Sequence, residues 1–216
     1  MVKPPDWDAG RGVKLCHNAE EAAQHLASLP QDSPAQVQEF IPGYDLDISL
    51  LANRGRIVAW TIHKKASGKQ GSRLASCRFV ENDALLDIGT RLVPATEFTG
   101  LAHIDGRVDE RDGSVKLIEC NPRVYDSIHF AAFAGVNFIA AGLEQARQAS
   151  ADRRWAQLNG VVSTPFGALS LLLKRNEDIP IWTPGTRRAW HELLRDPAPW
   201  LLSVFGRRHR QYSSHQ

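Results

Sequence analysis

Two neighbouring stretches, LAHIDGRV at 101–108 and SVKLIECN at 114–121, carry polar residues with the types and spacing of a metal site. Apolar and polar residues alternate in both, and turn residues separate them, which predicts a β-hairpin. A three-residue loop at Arg111–Gly113, with the glycine in the left-handed conformation, would fix its register. Asp105 then lies opposite Glu119. His103 lies opposite Asn121. Cross-strand partners share a face, and the residues on this face are His103, Asp105, Arg107, Glu119 and Asn121.

The chemistry predicted for this face is the binding of a hard divalent cation. The carboxylates of Asp105 and Glu119 repel each other, so each raises the pKa of the other unless a cation lies between them. The amide oxygen of Asn121 would be a third ligand. Oxygen ligands without paired Cys or His are typical of Mg²⁺ or Mn²⁺, which leave coordination positions for phosphate oxygens.

Two other interpretations of the hairpin stay open. A one-sided antiparallel sheet turns alternate polar residues to water by default, so the polar face can be a solvated surface and nothing more. A two-residue loop would shift the register by one and scatter the polar groups over both faces, but burial of the apolar residues favours the first register. In that register the opposite, core-facing side carries Ala102, Ile104, Val108, Ile118 and Cys120.

The elements around the hairpin are a mixture of strands and helices. Asn18 is predicted to cap a helix that has Glu21 as the partner of a capping box and that ends at Pro30. The absence of strict βαβ alternation favours an α+β fold with antiparallel sheets flanked by helices. Further strands are predicted at Val37–Ile41, Leu46–Leu50 and Ile57–Ile62, a polar loop at 64–72, and helices at about 83–94, 127–149, 166–175 and in the last segment.

The composition excludes several classes of protein. The chain has 216 residues, 43% hydrophobic and 23% charged, with a formal net charge of +2. These values are ordinary for a globular domain and disfavour disorder, collagen and whole-surface binding of nucleic acid. No apolar run is long enough to cross a membrane and the start lacks a signal sequence, so we expect a cytoplasmic protein. Three cysteines without C-x-x-C spacing disfavour a disulfide framework or a structural zinc site.

Four segments, taken in order, resemble a known family. Ile118–Arg123 (IECNPR) resembles the "IExNPR" signature of ATP-grasp enzymes, and Asp105 stands where that family has its first acidic metal ligand. Val2–Pro4 (VKP) is similar to the family's strand whose lysine holds nucleotide phosphate. Gly10–Val13 (GRGV) is similar to its glycine-rich phosphate loop, and Gln38–Asp45 (QEFIPGYD) to the hinge strand beside adenine. The resemblance runs from residue 2 to about residue 149.

The resemblance implies an ATP-dependent ligase that forms an acyl phosphate from a carboxylate, for attack by an amine. It implies Asp105, Glu119 and Asn121 as ligands of Mg²⁺ or Mn²⁺, and Lys3 and Arg123 as catalytic groups. His103 stands where many relatives carry Arg, which either weakens a phosphate contact or introduces a titratable group. The nucleotide-binding residues implied are Lys3, Gly10, Arg11, Gly12, Gln38, Glu39, Phe40, Ile41, Asp45 and His103.

Simpler interpretations compete for single residues. Lys3 can be a solvated terminal lysine, and Gly10 with Gly12 can form an ordinary turn. Arg123 can pair with a neighbouring acid instead of a phosphate or carboxylate. A further set of cations fits either phosphate contacts or a solvated run of charge, namely Lys64, Lys65 and Arg73.

The family pattern also implies an organisation. Residues 1–45 correspond to a partial lid subdomain with the adenine hinge, 46–150 to the subdomain with the metal site, and 151–216 to a helical extension. The lid is incomplete, so we expect a truncated core, a homo-oligomer or a separate N-terminal partner. Small-molecule carboxylates and amines are the expected substrates. The alternative function is a non-catalytic nucleotide-binding module or degenerate fragment. The Arg- and Trp-rich tail is expected either to pack on the domain or to dock on an acidic partner or a membrane surface.

Overall fold

The computed structural model describes residues 1–3, 12–30, 34–66, 75–125, 127–147, 155, 157–173, 179–180 and 182–198. Strands are β1 (Val2–Lys3), β2 (Gln36–Val37), β3 (Gly43–Asn53), β4 (Arg56–Lys65), β5 (Ser76–Phe79), β6 (Gly100–Asp109), β7 (Val115–Asn121) and β8 (Gly160–Ser163). Helices are α1 (Ala19–Ser28), α2 (Asp83–Ala95), α3 (Ile128–Phe133), α4 (Phe138–Ala146), α5 (Pro165–Leu173) and α6 (Pro184–Arg195). None of the helices in these described ranges has the length and apolar character to cross a membrane.

A six-stranded antiparallel sheet in the order β7-β6-β3-β4-β5-β8 forms the centre of the molecule. β1 and β2 form a separate two-stranded antiparallel sheet. The α+β class and the antiparallel sheets flanked by helices are therefore confirmed. The predicted strand Val37–Ile41 is corrected, because β2 ends at Val37 and residues 38–42 lead into β3 as a loop.

Two short strands were missed by the sequence prediction. β5 and β8 have four residues each and pair with each other at the sheet edge, Cys77 opposite Val162. The C-terminal part of the chain thus adds a strand to the central sheet and is not only a helical extension. In addition, β3 crosses the expected boundary between residues 45 and 46. The three-part division otherwise stays a prediction.

One face of the sheet packs on α2 and forms the largest core cluster. Leu85 and Val93 of α2 are buried against alternate residues of the central strands. Gly89 lets the helix approach closely, since a Cβ there would lie 3.4 Å from the side chains of both Ile48 and Leu50. The buried residues of this cluster are Leu46, Ile48, Leu50, Ala52, Ile62, Leu85, Val93, Ala102, Ile104 and Val108.

The opposite face of the sheet is divided into an apolar and a polar half. α3 and α4 cover the apolar half, where Phe138 and Ala141 of α4 pack against Leu51 and Ala59. The polar half carries the side chains of the β6–β7 hairpin and of the adjoining ends of β3 and β4. The fold therefore presents those side chains on a rigid sheet beside a helical layer.

Helix α1 confirms the predicted cap at Asn18. The Oδ1 atom of Asn18 accepts a hydrogen bond of 2.8 Å from the backbone N–H of Glu21. The carboxylate of Glu21 in turn accepts a bond of 2.9 Å from the backbone N–H of His17. The first bond satisfies an amide group that the first helical turn leaves without a partner, which explains why the helix begins at Ala19. The second bond reaches the residue before the cap, His17, and not the N–H of Asn18 itself.

Candidate functional site

The β6–β7 hairpin has the predicted pairs at its functional end, but its turn is different. Asp105 lies opposite Glu119, and His103 lies opposite Asn121. The turn has four residues, 110–113, because Asp109 bonds Ser114, with Gly113 at φ 73°. The predicted three-residue loop is therefore wrong. The expected register reappears because the pairing shifts between Asp105 and Gly106, where a β-bulge leaves Ile118 without a partner.

The polar half of the sheet is organised as two rows of side chains across four strands. In the first row Asp47 of β3 lies between His63 of β4 and Asp105 of β6, and Asp105 lies beside Glu119 of β7. The second row, one pair further along, consists of Thr61, Ser49, His103 and Asn121. Residues two apart on a strand share a face, so both rows face the same side.

The three predicted metal ligands, Asp105, Glu119 and Asn121, lie close together. The Nδ2 atom of Asn121 donates to Glu119 Oε1 at 2.8 Å and to Asp105 Oδ2 at 3.2 Å. Two carboxylates and one amide are a donor set that fits a hard cation such as Mg²⁺. To become a ligand, the Asn121 amide must rotate so that its oxygen faces the carboxylates. That rotation breaks the bond of 3.4 Å that Oδ1 now accepts from Arg123.

Arg123 lies at the rim of this group. One guanidinium nitrogen donates to Asn121 and another donates to the carbonyl of Val124 at 3.3 Å. The side chain is exposed. In the described part of the chain these two oxygen atoms are its partners, and an ion pair with a neighbouring acid is not formed there.

His103 connects the metal-ligand group to the second row. Its Nδ1 lies 2.9 Å from Ser49 Oγ, and its Nε2 lies 3.0 Å from Asp105 Oδ1. Its ring stacks on Tyr125 with centroids 4.6 Å apart. Burial raises the pKa of Asp105, but the hydrogen bond and charge of His103 outweigh it and hold that pKa below its ordinary value. The carboxylate is thus kept in the charged form that a cation requires.

Asp47 and His63 are residues that the sequence analysis missed. His63 is only 5% exposed. Burial lowers its pKa to about 3, with the charge of His103 adding to the effect. Burial likewise raises the pKa of Asp47 to about 7, opposed by His103 and reinforced by Asp105. The alternation Asp45-Asp47-Ser49 on β3, matched by Thr61-His63 on β4, was the signal that could have placed them on the polar face.

The loop expected to hold adenine is fixed to the sheet by Arg107. Its guanidinium donates to the carbonyls of Ile41 and Gly43, the latter at 2.7 Å, and pairs with the carboxylate of Asp45. Phe40 lies beneath the same guanidinium, 5.8 Å from its carbon to the ring centroid. Arg107 is a third missed residue, because the sequence placed it on the polar face without a role.

Two further contacts fix the ends of that loop. Glu39 pairs with Arg111 of the hairpin turn at 2.9 Å. The backbone of Gln38 exchanges hydrogen bonds of 2.8 Å with Met1, which ties the loop to the two-stranded sheet. Glu39 and Phe40 are exposed along the loop, whereas Ile41 is buried.

Of the remaining predicted residues, the structure describes Lys3 and Gly12, both outside the six-stranded sheet. Lys3 lies on β1 opposite Gln36, in the separate two-stranded sheet. Gly12 has φ 69°, and its carbonyl lies 2.9 Å from Nε2 of His25. Gly10 and Arg11, together with Arg73, fall outside the described residues.

Strand alternation places the two lysines at the end of β4 on opposite faces of the sheet. Lys64 lies on the face of β4 opposite to His63, with its ammonium 4.8 Å from the ring centroid of Tyr44, so it does not belong to the polar face. Lys65 lies two residues after His63 and shares its face.

Cys120 was expected in the core but is exposed, and Ile118 is only half-buried. Both belong to β7, an edge strand that α2 covers poorly.

Comparison with known proteins gives one family. The model of the family described as "ATP-grasp in the biosynthetic pathway with Ter operon" matches residues 31–164. The matched region contains the hinge loop, the polar face of the sheet and the hairpin. Among curated proteins, none matches this sequence.

Solved structures share the fold at low sequence identity. One is the biotin carboxylase domain of 2-oxoglutarate carboxylase from Hydrogenobacter thermophilus, solved with MgADP and bicarbonate, with 15% identity, TM-score 0.56, and coverage of 74% of this chain and 39% of that chain. Another is N5-carboxyaminoimidazole synthetase from Staphylococcus aureus with ADP, with 14% identity, TM-score 0.56, and coverage of 82% and 48%. A third is pyruvate carboxylase from Rhizobium etli, with 15% identity, TM-score 0.54, and coverage of 74% and 16%.

These likenesses have different weights. At such identities the solved structures establish a shared fold, and this chain spans less than half of their length. The family model matches more than half of this chain, in the region that carries the hairpin and the hinge loop. The protein is therefore a member of the ATP-grasp family.

Proposed function

We propose that this chain is the nucleotide- and metal-binding part of an ATP-dependent ligase that joins a carboxylate to an amine. The observation that carries the proposal is the convergence of Asp105, Glu119 and Asn121 on one face of the sheet. The Asn121 Nδ2 atom donates to both carboxylates, at 3.2 Å to Asp105 and at 2.8 Å to Glu119. In this family fold, that face is where a triphosphate with its cation would lie.

The metal ligands proposed are Asp105, Glu119 and Asn121. Their two negative charges lie on a face that is only partly buried, so a hydrated cation can reach them. Bound Mg²⁺ would supply charge neutralisation of the phosphates. His103 holds the Asp105 carboxylate in place through its bond of 3.0 Å, and so positions a ligand without needing to touch the ion.

The nucleotide contacts proposed follow the hinge loop and the N-terminal segment. Arg107 holds the loop carbonyls of Ile41 and Gly43, which leaves the exposed edge at Glu39 and Phe40 to meet the adenine base. Asp45, near the start of β3, would contact the ribose after giving up its ion pair with Arg107. The phosphate contacts proposed are Lys3, Gly10, Arg11 and Gly12, with Gln38 and His103 at the two ends of the nucleotide.

The reaction proposed is transfer of the γ-phosphoryl group to a substrate carboxylate, followed by attack of an amine on the acyl phosphate. ADP leaves in the first step and phosphate in the second. Arg123, exposed beside the metal ligands, would orient the carboxylate or stabilise the charge on the transferred group, as Lys3 would for the other phosphates. Such catalysis depends mainly on position and charge, for which a rigid sheet is suited.

The direct test is nucleotide-dependent stabilisation. At a nucleotide concentration about 100 times the dissociation constant, a ligand that binds only the folded protein adds about 2.7 kcal/mol to the free energy of unfolding. We expect Mg·ATP and Mg·ADP to raise the melting temperature of the wild type. Glu119→Gln and Asn121→Ala should abolish that rise, and Glu110→Gln, an exposed glutamate in the turn of the same hairpin, should retain it.

The second candidate function is a nucleotide-binding module without turnover, since this chain spans less than half the length of the similar structures. A product assay on the same variants separates it from a ligase. Release of ADP that depends on a carboxylate, with formation of a hydroxamate when hydroxylamine replaces the amine, supports the ligase. Stabilisation by nucleotide without either product supports the module. No stabilisation by Mg·ATP in a folded wild type overturns both.

A further inference from the structure

A group of two histidines and one carboxylate lies beside the oxygen ligands on the same face. Asp47, His63 and His103 each offer one potential ligand atom, and these atoms lie within 4.8 Å of one another. Asp47 and His63 are direct partners across β3 and β4, and His103 lies in the neighbouring row on β6. Three strands therefore bring together residues separated by up to 56 positions in the sequence.

The environment of His63 is the strongest indication that this group binds a ligand. The side chain is 95% buried, yet its Nδ1 has no hydrogen-bond partner among the described residues. Thr61 Oγ1, in the adjacent row, is also buried without a partner there. A buried polar atom without a partner destabilises the fold, so an unpaired ring nitrogen in a packed sheet requires an explanation.

The state of His63 suits a ligand. Its ring packs between Phe79 and His103, with centroid distances of 5.5 and 5.7 Å. Burial disfavours the protonated form, so the ring is neutral at physiological pH and keeps the lone pair with which imidazole binds metals.

Asp47 supplies the charge. Its carboxyl group is largely buried, opposite the Asp105 carboxyl on one side and opposite neutral His63 on the other. A buried carboxylate beside a second carboxylate is stabilised by a cation. The Asp47 carboxylate would therefore supply negative charge to a bound metal ion.

We propose that Asp47, His63 and His103 bind a divalent transition-metal ion, with Zn²⁺ as the expected occupant, at a site separate from the oxygen ligands Asp105, Glu119 and Asn121. Two imidazoles and one carboxylate favour zinc and its neighbours over Mg²⁺, which prefers oxygen. Three protein ligands leave a fourth position for water or another small ligand.

Binding requires a small rearrangement. Zinc–ligand bonds of about 2.0–2.2 Å place tetrahedral ligands about 3.3 Å apart. The three ligand atoms now lie within 4.8 Å of one another, so they must approach by at most about 1.5 Å. His103 must release one of its two present partners, Ser49 at 2.9 Å or Asp105 at 3.0 Å. The retained bond would then orient the ring from outside the metal, as partners of metal-bound histidines commonly do.

The experiment uses the full chain after removal of metal with a chelator, and titrates it with Co²⁺ as a spectroscopic substitute for Zn²⁺. We expect visible d–d bands that saturate at one equivalent and that Zn²⁺ abolishes. Asp47→Asn and His63→Gln should each lower the affinity at least about tenfold, since even outer partners of metal ligands contribute that much. Circular dichroism checks the fold, and Asp47→Asn, nearly equal in volume, covers the case in which His63→Gln does not fold.

Two controls make the result specific. His191→Gln, at an exposed histidine of α6, should leave the Co²⁺ spectrum unchanged. Glu119→Gln should also retain the spectrum while it loses stabilisation by Mg·ADP, so failure of this site and failure of the nucleotide site are distinguishable. The proposal is overturned if folded Asp47→Asn binds Co²⁺ like the wild type, if a sulfur-to-cobalt band shows ligation by cysteine, or if the wild type gives no d–d bands.

Discussion

Asp105 lies directly opposite Glu119 on the neighbouring strand, and a β-bulge at Ile118 is what makes them partners. If the pairing continued from the four-residue turn without a bulge, Asp105 would lie opposite Ile118 and Glu119 would point to the other face. Bulges are frequent beside functional sites because they redirect a side chain. Here the bulge aligns two carboxylates that repel each other unless a cation is present.

Glu119→Gln should therefore stabilise the metal-free protein. Like charges directly opposite each other across two strands cost roughly 0.2–1 kcal/mol, and the glutamine carbonyl can still accept the bond from Asn121. We expect the free energy of urea unfolding in chelator to rise by up to about 1 kcal/mol at low salt. The gain should shrink at about 1 M salt, where the Debye length falls to about 3 Å. A loss of stability larger than that of Glu110→Gln would contradict the repulsion.

Gly106→Ala should destabilise the sheet next to the metal ligands. A Cβ at this position would lie 2.6 Å from the carbonyl oxygen of Leu46 and 3.1 Å from the side chain of Leu85. The backbone of β3 or β6 must then move, at a cost of about 1–3 kcal/mol. Gly142→Ala is the matched control, since its nearest contact is at 4.0 Å and alanine favours a helix interior by up to about 1 kcal/mol. Equal chemical denaturation midpoints for the two variants would refute this account.

Arg107→Met should loosen the hinge loop and lower stability. The guanidinium bonds two loop carbonyls and the Asp45 carboxylate while only 12% of the side chain is exposed. Hydrogen bonds to charged groups contribute about 1.5–3 kcal/mol, so we expect a loss of about 2–3 kcal/mol in urea unfolding. Faster hydrogen exchange at residues 38–42 should accompany it. Arg91→Met, at a side chain 79% exposed, should change stability by less than about 0.5 kcal/mol.

Asp109 should make stability depend on pH in the acid range. Hydrogen bonds from the side chain and backbone of Arg111 lower the pKa of this buried carboxyl from 3.8 to about 2. The folded pKa lies below the unfolded one, so the unfolded state binds protons first, and the stabilisation present above pH about 4 is lost as the pH falls toward 2. Asp109→Asn should lack this loss.

The measurement is the difference in unfolding free energy between the wild type and Asp109→Asn, followed from pH about 5 to about 2. We expect a constant difference at the upper end that shrinks toward the lower end. Asp87→Asn, at an exposed position on α2, should give a difference that stays small throughout. A wild-type advantage over Asp109→Asn that grows with acidity would rule out the assigned direction.

Part of the fold and of the site could be predicted from local sequence. The cap at Asn18, the left-handed Gly113 and the alternation from His103 to Asn121 depend on residues within one turn or one hairpin. Periodicity along one strand is local, so the side chains that share the polar face could be named. The pairs of Asp105 and His103 were named through a three-residue loop, whereas the structure reaches the same pairs through a four-residue turn and a bulge. The α+β class followed from the same patterns.

Tertiary structure decided the rest. The bulge at Ile118, the added strands β5 and β8, and the exposure of Cys120 on the edge strand β7 depend on which strands become neighbours. Asp47, His63 and Arg107 gained their roles only when β3, β4 and β6 came together. The sequence by itself determined which side chains alternate on each strand, because that periodicity is local. Only the tertiary structure decided which strands adjoin, and hence which charges are buried together, because those contacts join residues far apart in the chain.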